Sequence, residues 1–149
     1  MSGYVILPML AVLSVAVYTD VRRKLIYDWL TLPGIAYFLL YYALAEPDRL
    51  ASSVLGVAVL GGISLIMAMI SSGQLGGGDI KLFAAVGAAL GWQAGLLAMG
   101  LTYLLAGAVA IPLWVLSKVT SKQEPEKEVP MAPYIAGGTL LLFAIAFVL

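Results

Sequence analysis

Apolar residues fill most of this chain in long stretches that no charged side chain interrupts. Five stretches lack Asp, Glu, Lys and Arg, and they cover residues 1–19, 29–45, 50–78, 82–117 and 129–149. A helix that crosses a membrane needs about 20 mostly apolar residues, because the hydrocarbon core is about 30 Å thick. The pattern therefore predicts an all-α membrane protein that crosses the bilayer several times.

The fourth stretch is too long for a single crossing. As one helix, residues 82–117 would extend about 54 Å, at about 1.5 Å per residue. We place a break at Gly91-Trp92, because glycine allows a turn and an indole ring suits the membrane interface. This break predicts a polytopic bundle of six transmembrane helices.

The positions of the basic residues favour the same count. With six helices and both termini outside, seven of the eight basic residues fall on the cytoplasmic side, as the positive-inside rule requires. An unbroken fourth helix would divide them equally between the two sides. The first apolar stretch is expected to be a retained helix instead of a cleaved signal peptide, since its basic cluster follows it. The seven inside residues are Arg22, Arg23, Lys24, Lys81, Lys118, Lys122 and Lys127, and Arg49 is outside.

Composition narrows the possible functions. Hydrophobic residues make up 62% of the chain and charged residues 11%, so we expect residues 1–149 to form a single integral-membrane domain. Cysteine and histidine are absent, which excludes disulfides, thiol nucleophiles, imidazole metal sites and a histidine-based serine triad. The zero net charge gives no indication of a nucleic-acid partner. We expect the protein to need no cofactor and no metal.

Two aspartates are the candidate functional residues. Asp79 follows three glycines, Gly76 to Gly78, at the predicted start of the fourth helix, and Asp20 lies at the end of the first. An ionisable side chain beside a membrane span is energetically costly, so its presence indicates a function. The predicted topology places both aspartates at the cytoplasmic face.

Such a pair can cleave a peptide bond. The ionised carboxylate activates a water molecule, and the protonated one polarises the carbonyl and later protonates the leaving amine. Glycines next to Asp79 would allow backbone or substrate to approach closely.

Structural explanations remain open for each residue. Asp20 lies next to three basic residues and could be a solvated interfacial charge, and Asp79 could be a helix N-cap after a flexible glycine loop. Arg22 and Lys81 either tune the two acids or only set the topology. Six other glycines, namely Gly56, Gly61, Gly62, Gly87, Gly91 and Gly95, more simply indicate close helix packing.

The motifs resemble those of a known family. The run from Gly76 to Lys81 is similar to the GxGD signature of intramembrane aspartyl proteases, and in detail to type IV prepilin and archaeal preflagellin peptidases. The resemblance includes Asp20, with Arg22 two positions on and Ile26 further along. Tyr27-Asp28 stands where the family usually has Pro-Asn, which makes Asp28 a second candidate acid.

The resemblance implies a function and a substrate. The chain lacks the cysteine-bearing region of the bifunctional enzymes, and so resembles the short, peptidase-only members. Asp20 and Asp79 would be catalytic, and the substrate would be a prepilin-like or preflagellin-like membrane protein, cut after a glycine to release a basic leader. The enzyme would work in the inner (plasma) membrane, in contact with the lipid bilayer and without a cofactor.

Two other functions stay open from the sequence. One is a small proton- or cation-coupled transporter that uses Asp20 and Asp79 to bind its ion. The other is a non-catalytic membrane scaffold of a secretion machine.

Overall fold

The structure, a computed structural model, describes residues 3–70, 76–120 and 131–148, with side chains described outside 113–120 and 147–148. Throughout these ranges the regular elements are helices. They are α1 (Gly3–Arg23), α2 (Asp28–Ala45), α3 (Pro47–Ile70), α4 (Gly77–Thr120) and α5 (Ala132–Val148). Three segments are long and apolar enough to cross a membrane, namely Gly3–Arg23, Pro47–Ile70 and Gly77–Pro112. The all-α fold, with segments long and apolar enough to cross a membrane, is therefore confirmed.

Helix α4 reverses direction at Gly91. This residue has φ 79° and ψ 174°, which is not a helical conformation. The rings of Phe83 and Tyr103 stack with their centroids 5.9 Å apart, whereas twenty residues of straight helix would separate them by about 30 Å. The predicted break at Gly91-Trp92 is confirmed, and α4 consists of a first arm (residues 77–90) and a second arm (residues 92–120). Six membrane crossings and outward termini stay predictions.

The first arm of α4 lies at the centre of the bundle. Every residue from 82 to 89 is buried, and the arm contacts α2 through Ala89 and α3 through Gly87. Helix α2 is fixed to it by Tyr42, whose buried Oη donates a hydrogen bond of 2.7 Å to the carbonyl of Ala89. Large apolar side chains face outward elsewhere, as expected of a bundle surrounded by lipid, and among them are Leu7, Leu44 and Ile70. Asp79 therefore lies in the first turn of the helix at the centre of the bundle.

Helices α3 and α4 touch through their backbones. A Cβ atom on Gly56 would overlap the carbonyl of Gly87, and a Cβ atom on Gly87 would overlap the carbonyl of Gly56. Nearby, Ser53 Oγ donates a hydrogen bond of 2.6 Å to the carbonyl of Ala88. Small residues at such a contact let two membrane helices approach closely, which confirms the packing role expected of Gly56 and Gly87. Gly62 has no such role, because a Cβ atom there would meet nothing within 4 Å.

Candidate active site

Asp20 joins the end of α1 to the start of α5. The residue is 7% exposed, and its Oδ2 accepts a hydrogen bond of 2.8 Å from the backbone N–H of Ala132. Ala132 is the first residue of α5, and the first N–H groups of a helix have no partner within it. Asp20 is therefore buried and hydrogen-bonded to a residue 112 positions later in the chain. Both observations argue against Asp20 being a solvated interfacial charge.

Asp79 lies in the first turn of α4. It is the third residue of the helix and is 8% exposed. The carboxylate has a backbone hydrogen bond with Gly76, and the Asp79 N–H donates a bond of 3.0 Å to the Gly76 carbonyl. The side-chain bond is one half of a capping box, in which the third helical residue reaches back to the N-cap backbone; Gly76 has no side chain to make the other half. The N-cap position is thus held by Gly76, while Asp79 helps to close the helix start.

One of the two carboxylate oxygens of Asp79 has no hydrogen-bond partner among the described residues. A Cβ atom on Gly76 would lie 3.2 Å from Asp79 Oδ2, so Oδ2 is the oxygen directed towards Gly76. Oδ1 is buried and has no hydrogen-bond partner among the described residues. Buried carboxylate oxygens are normally paired, so Oδ1 is available to a bound water or a substrate group.

The structure brings the two predicted aspartates together. Asp20 and Asp79 are both buried, and they interact electrostatically with each other. Two carboxyl groups that share one site can act as an acid–base pair. Within the described part of the chain, no group of three or more acidic side chains is arranged to hold a metal ion.

The three glycines before Asp79 have different surroundings. A Cβ atom on Gly78 would lie 2.7 Å from Ile26 Cβ and 3.1 Å from the Ile26 carbonyl oxygen, and one on Gly76 would approach Asp79. A Cβ atom on Gly77 would meet nothing within 4 Å. The contacts therefore account for glycine at the first and third positions of GxGD and for free choice at the second.

Gly78→Ala is expected to destabilise the protein and reduce its activity, because the α1–α2 loop must move away from Asp79 to admit the methyl group. Overpacking of this kind typically costs about 1–3 kcal/mol. Gly77→Ala is the matched control and should leave the thermal unfolding temperature in detergent unchanged or higher. Equal unfolding temperatures for the two variants would contradict the close contact between Gly78 and Ile26.

The basic residues near the dyad have other partners. Lys81 Nζ lies 2.6 Å from Asp28 Oδ1, and both side chains are exposed at the surface. The Arg22 guanidinium lies 5.3 Å from the centroid of the Tyr18 ring. The Lys81 pair joins the start of α2 to α4, beside the contact of Ile26 with Gly78. Asp28, the second candidate acid, is thus the surface partner of Lys81.

Sequence reasoning missed two groups at this site. The Ala132 amide reaches Asp20 across 112 positions of sequence, and the charge of Asp79 acts on Tyr103 only because α4 reverses at Gly91. For the Ala132 amide, the sequence signal was Pro133, because proline in a first turn is typical of a helix start, where backbone N–H groups are unpaired. For Tyr103, the sequence signal was that it follows the predicted break at Gly91 by twelve residues, just as Asp79 precedes the break by twelve.

Comparison with known proteins identifies the family. The profile of the type IV leader peptidase family matches residues 7–111, a range that contains both Asp20 and Asp79. This chain belongs to the type IV leader peptidase family. The resemblance seen in the GxGD motif is therefore confirmed, and the protein is a member of a family of membrane peptidases.

Relatives of this leader peptidase family member are named prepilin leader peptidase/N-methyltransferase. The protein of Aeromonas hydrophila is 31% identical over 84% of this chain and 43% of its own length. The protein of Bacillus subtilis (strain 168) is 30% identical over 90% of this chain and 52% of its own length. The protein of Klebsiella pneumoniae is 38% identical over 63% of this chain and 42% of its own length. The chain thus spans about half the length of these relatives. No solved structure matches it.

Proposed function

We propose that this protein is a membrane-embedded aspartic endopeptidase that removes the leader peptide from prepilin-like precursors. The substrates would be type IV pilins, Flp/Tad pilins or archaeal flagellins. The observation that carries the proposal is the pair of buried aspartates, Asp20 at the end of α1 and Asp79 at the start of α4, whose charges interact. The names of the relatives, which include leader peptidase activity, support the same reaction.

The two carboxyl groups would share one proton through the reaction. The ionised carboxylate removes a proton from water as the water oxygen attacks the scissile carbonyl carbon, while the protonated carboxyl donates a hydrogen bond to the carbonyl oxygen. Collapse of the tetrahedral intermediate breaks the C–N bond, and a proton passes to the leaving amine. One proton remains on the pair, which is then ready for the next cycle. No metal or cofactor is needed.

The backbone contacts of the dyad support this chemistry. The Ala132 N–H donates a hydrogen bond to Oδ2 of Asp20. The Gly76 backbone is hydrogen-bonded to the Asp79 carboxylate, whose Oδ2 is directed towards Gly76. Each carboxyl is thereby oriented by main-chain groups that do not titrate. Fixed orientation of the reacting groups lowers the entropic part of the barrier.

The location of the dyad fits the proposed substrate. With the basic residues inside, the ends of α1 and the start of α4 face the cytoplasm of the inner (plasma) membrane. A prepilin carries its basic leader on that side, just before its own transmembrane helix. The peptide bond between leader and helix would then lie at the depth of Asp20 and Asp79.

Ion transport is the weaker alternative. A transporter usually holds its ion near the middle of the membrane, in a repeat-related site. Here both acids lie at helix ends.

Cleavage of a precursor tests the proposal directly. A prepilin encoded near this gene, co-expressed with the protein, should appear as a shortened product whose new N terminus follows a glycine, as mass spectrometry can show. Purified protein should cleave equally well after metal chelation and after treatment with serine or cysteine protease reagents. Loss of cleavage on chelation, with recovery on adding metal, would contradict the aspartic mechanism.

A further inference from the structure

Tyr103 presents an unpaired hydroxyl group in the interior. Its Oη is buried and has no hydrogen-bond partner among the described residues, and the same holds for Asp79 Oδ1. A buried polar atom without a partner costs free energy, so such atoms are rare unless a ligand or a reaction uses them. Asp79 has an acid–base role in the proposed reaction, whereas neither packing nor a hydrogen bond accounts for the Tyr103 hydroxyl.

The fold places Tyr103 next to Asp79. Asp79 precedes the reversal at Gly91 by twelve residues and Tyr103 follows it by twelve, so the two lie at the same depth on the two arms of α4. The Tyr103 ring stacks on Phe83 at 5.9 Å, with 19° between the ring planes. Phe83 lies one helical turn after Asp79 on the same face.

The two groups also interact across that space. The charge of Asp79 acts electrostatically on the phenol of Tyr103, yet neither Tyr103 Oη nor Asp79 Oδ1 has a described hydrogen bond. A phenol can donate a hydrogen bond and a carboxylate can only accept one. Such a pair suits a reacting peptide group, whose carbonyl oxygen accepts from the phenol while the attacking water donates to the carboxylate.

We propose that Tyr103 Oη donates a hydrogen bond to the carbonyl oxygen of the scissile peptide and stabilises the oxyanion of the tetrahedral intermediate. This role rests on the proposed peptidase function. The phenol keeps its proton throughout, so the proton balance of Asp20 and Asp79 is unchanged. A donor aimed at developing negative charge lowers the barrier most where water is excluded, as at this buried position.

Packing alone would not need the hydroxyl. Phenylalanine can make the same ring stack with Phe83, and it would remove a buried polar atom that lacks a partner. A purely structural Tyr103 therefore predicts that Tyr103→Phe keeps full activity. The oxyanion role predicts the opposite.

Two matched tyrosine-to-phenylalanine variants test the proposal. In Tyr103→Phe, kcat for prepilin cleavage should fall about 100-fold, with little change in KM and with the unfolding temperature unchanged or higher. Tyr42→Phe is the control, because its hydroxyl bonds to the Ala89 carbonyl within the bundle. It should lower the unfolding temperature and leave kcat near that of the wild type.

The results that would overturn the proposal are distinct from failure of the peptidase function. Wild-type kcat in Tyr103→Phe, or an effect confined to KM, would refute the oxyanion role. So would a loss of kcat that follows a fall in unfolding temperature. If the wild-type protein left every tested precursor intact, the proposed function itself would fail, and the role of Tyr103 with it.

Discussion

Asp79→Asn is expected to abolish leader cleavage while the protein stays folded in the membrane. The amide can neither remove a proton from water nor donate an acidic one, so the loss should reach about 10²–10⁴-fold or more. The amide oxygen can still accept the hydrogen bond from Gly76, so the start of α4 should form normally. The measurement is turnover of a purified prepilin in detergent, with the unfolding temperature recorded in parallel.

Asp20→Asn should have the same effect for the same reason. Its amide oxygen can still accept from the Ala132 N–H, which keeps α5 in place. The double variant should be no less active than either single one, because residues that act as a unit give non-additive losses.

Asp28→Asn is the control for these two substitutions. Asp28 is exposed and pairs with Lys81, and a surface pair of this kind contributes only about 0–1 kcal/mol. Most of the activity should therefore remain. Robust cleavage by Asp79→Asn, or a loss in Asp28→Asn as large as in Asp20→Asn, would contradict the assignment of the dyad.

The second large effect is expected from Gly87→Ala. The new methyl group would overlap the Gly56 carbonyl of α3, and backbone cannot yield as a flexible side chain does. Helices α3 and α4 would have to separate, at a cost of about 3 kcal/mol or more. The unfolding temperature and the yield of monodisperse protein in detergent should both fall strongly.

Gly62→Ala is the matched control for Gly87→Ala. Gly62 lies within α3, and a Cβ atom there would meet nothing within 4 Å. Alanine is a better helix former than glycine, by about 1 kcal/mol, so this variant should be as stable as the wild type or more so. Equal stability of the Gly87 and Gly62 variants would show that α3 and α4 are not in backbone contact.

The sequence predicted the elements that depend on local pattern. Uninterrupted apolar stretches indicated the helices, and the excessive length of one stretch, together with a glycine and a tryptophan, indicated the break at Gly91. Asp20 and Asp79 stood out because acids are scarce in such a chain. These inferences needed only the length of a membrane span and the cost of an ionisable group near it.

The contacts that orient the dyad could not be predicted in this way. The Ala132 amide is a backbone group, which leaves no trace in residue type, and Tyr103 looks like any aromatic residue of an apolar helix. Lys81 had two possible roles in the sequence, and only the packing of α2 against α4 shows its pairing with Asp28. Long-range placement decides such roles, and a pattern of residue types does not contain it.

The bond between Asp20 and Ala132 also has a consequence for the order in which the site can form during synthesis. Asp20 leaves the ribosome long before the residue whose amide orients it, since the two are 112 positions apart. Until α5 has been synthesised and has docked, the Asp20 carboxyl lacks its backbone donor. On the proposed aspartic mechanism, an unfinished chain would therefore hold a misaligned dyad and would not cleave a leader peptide until α5 had docked.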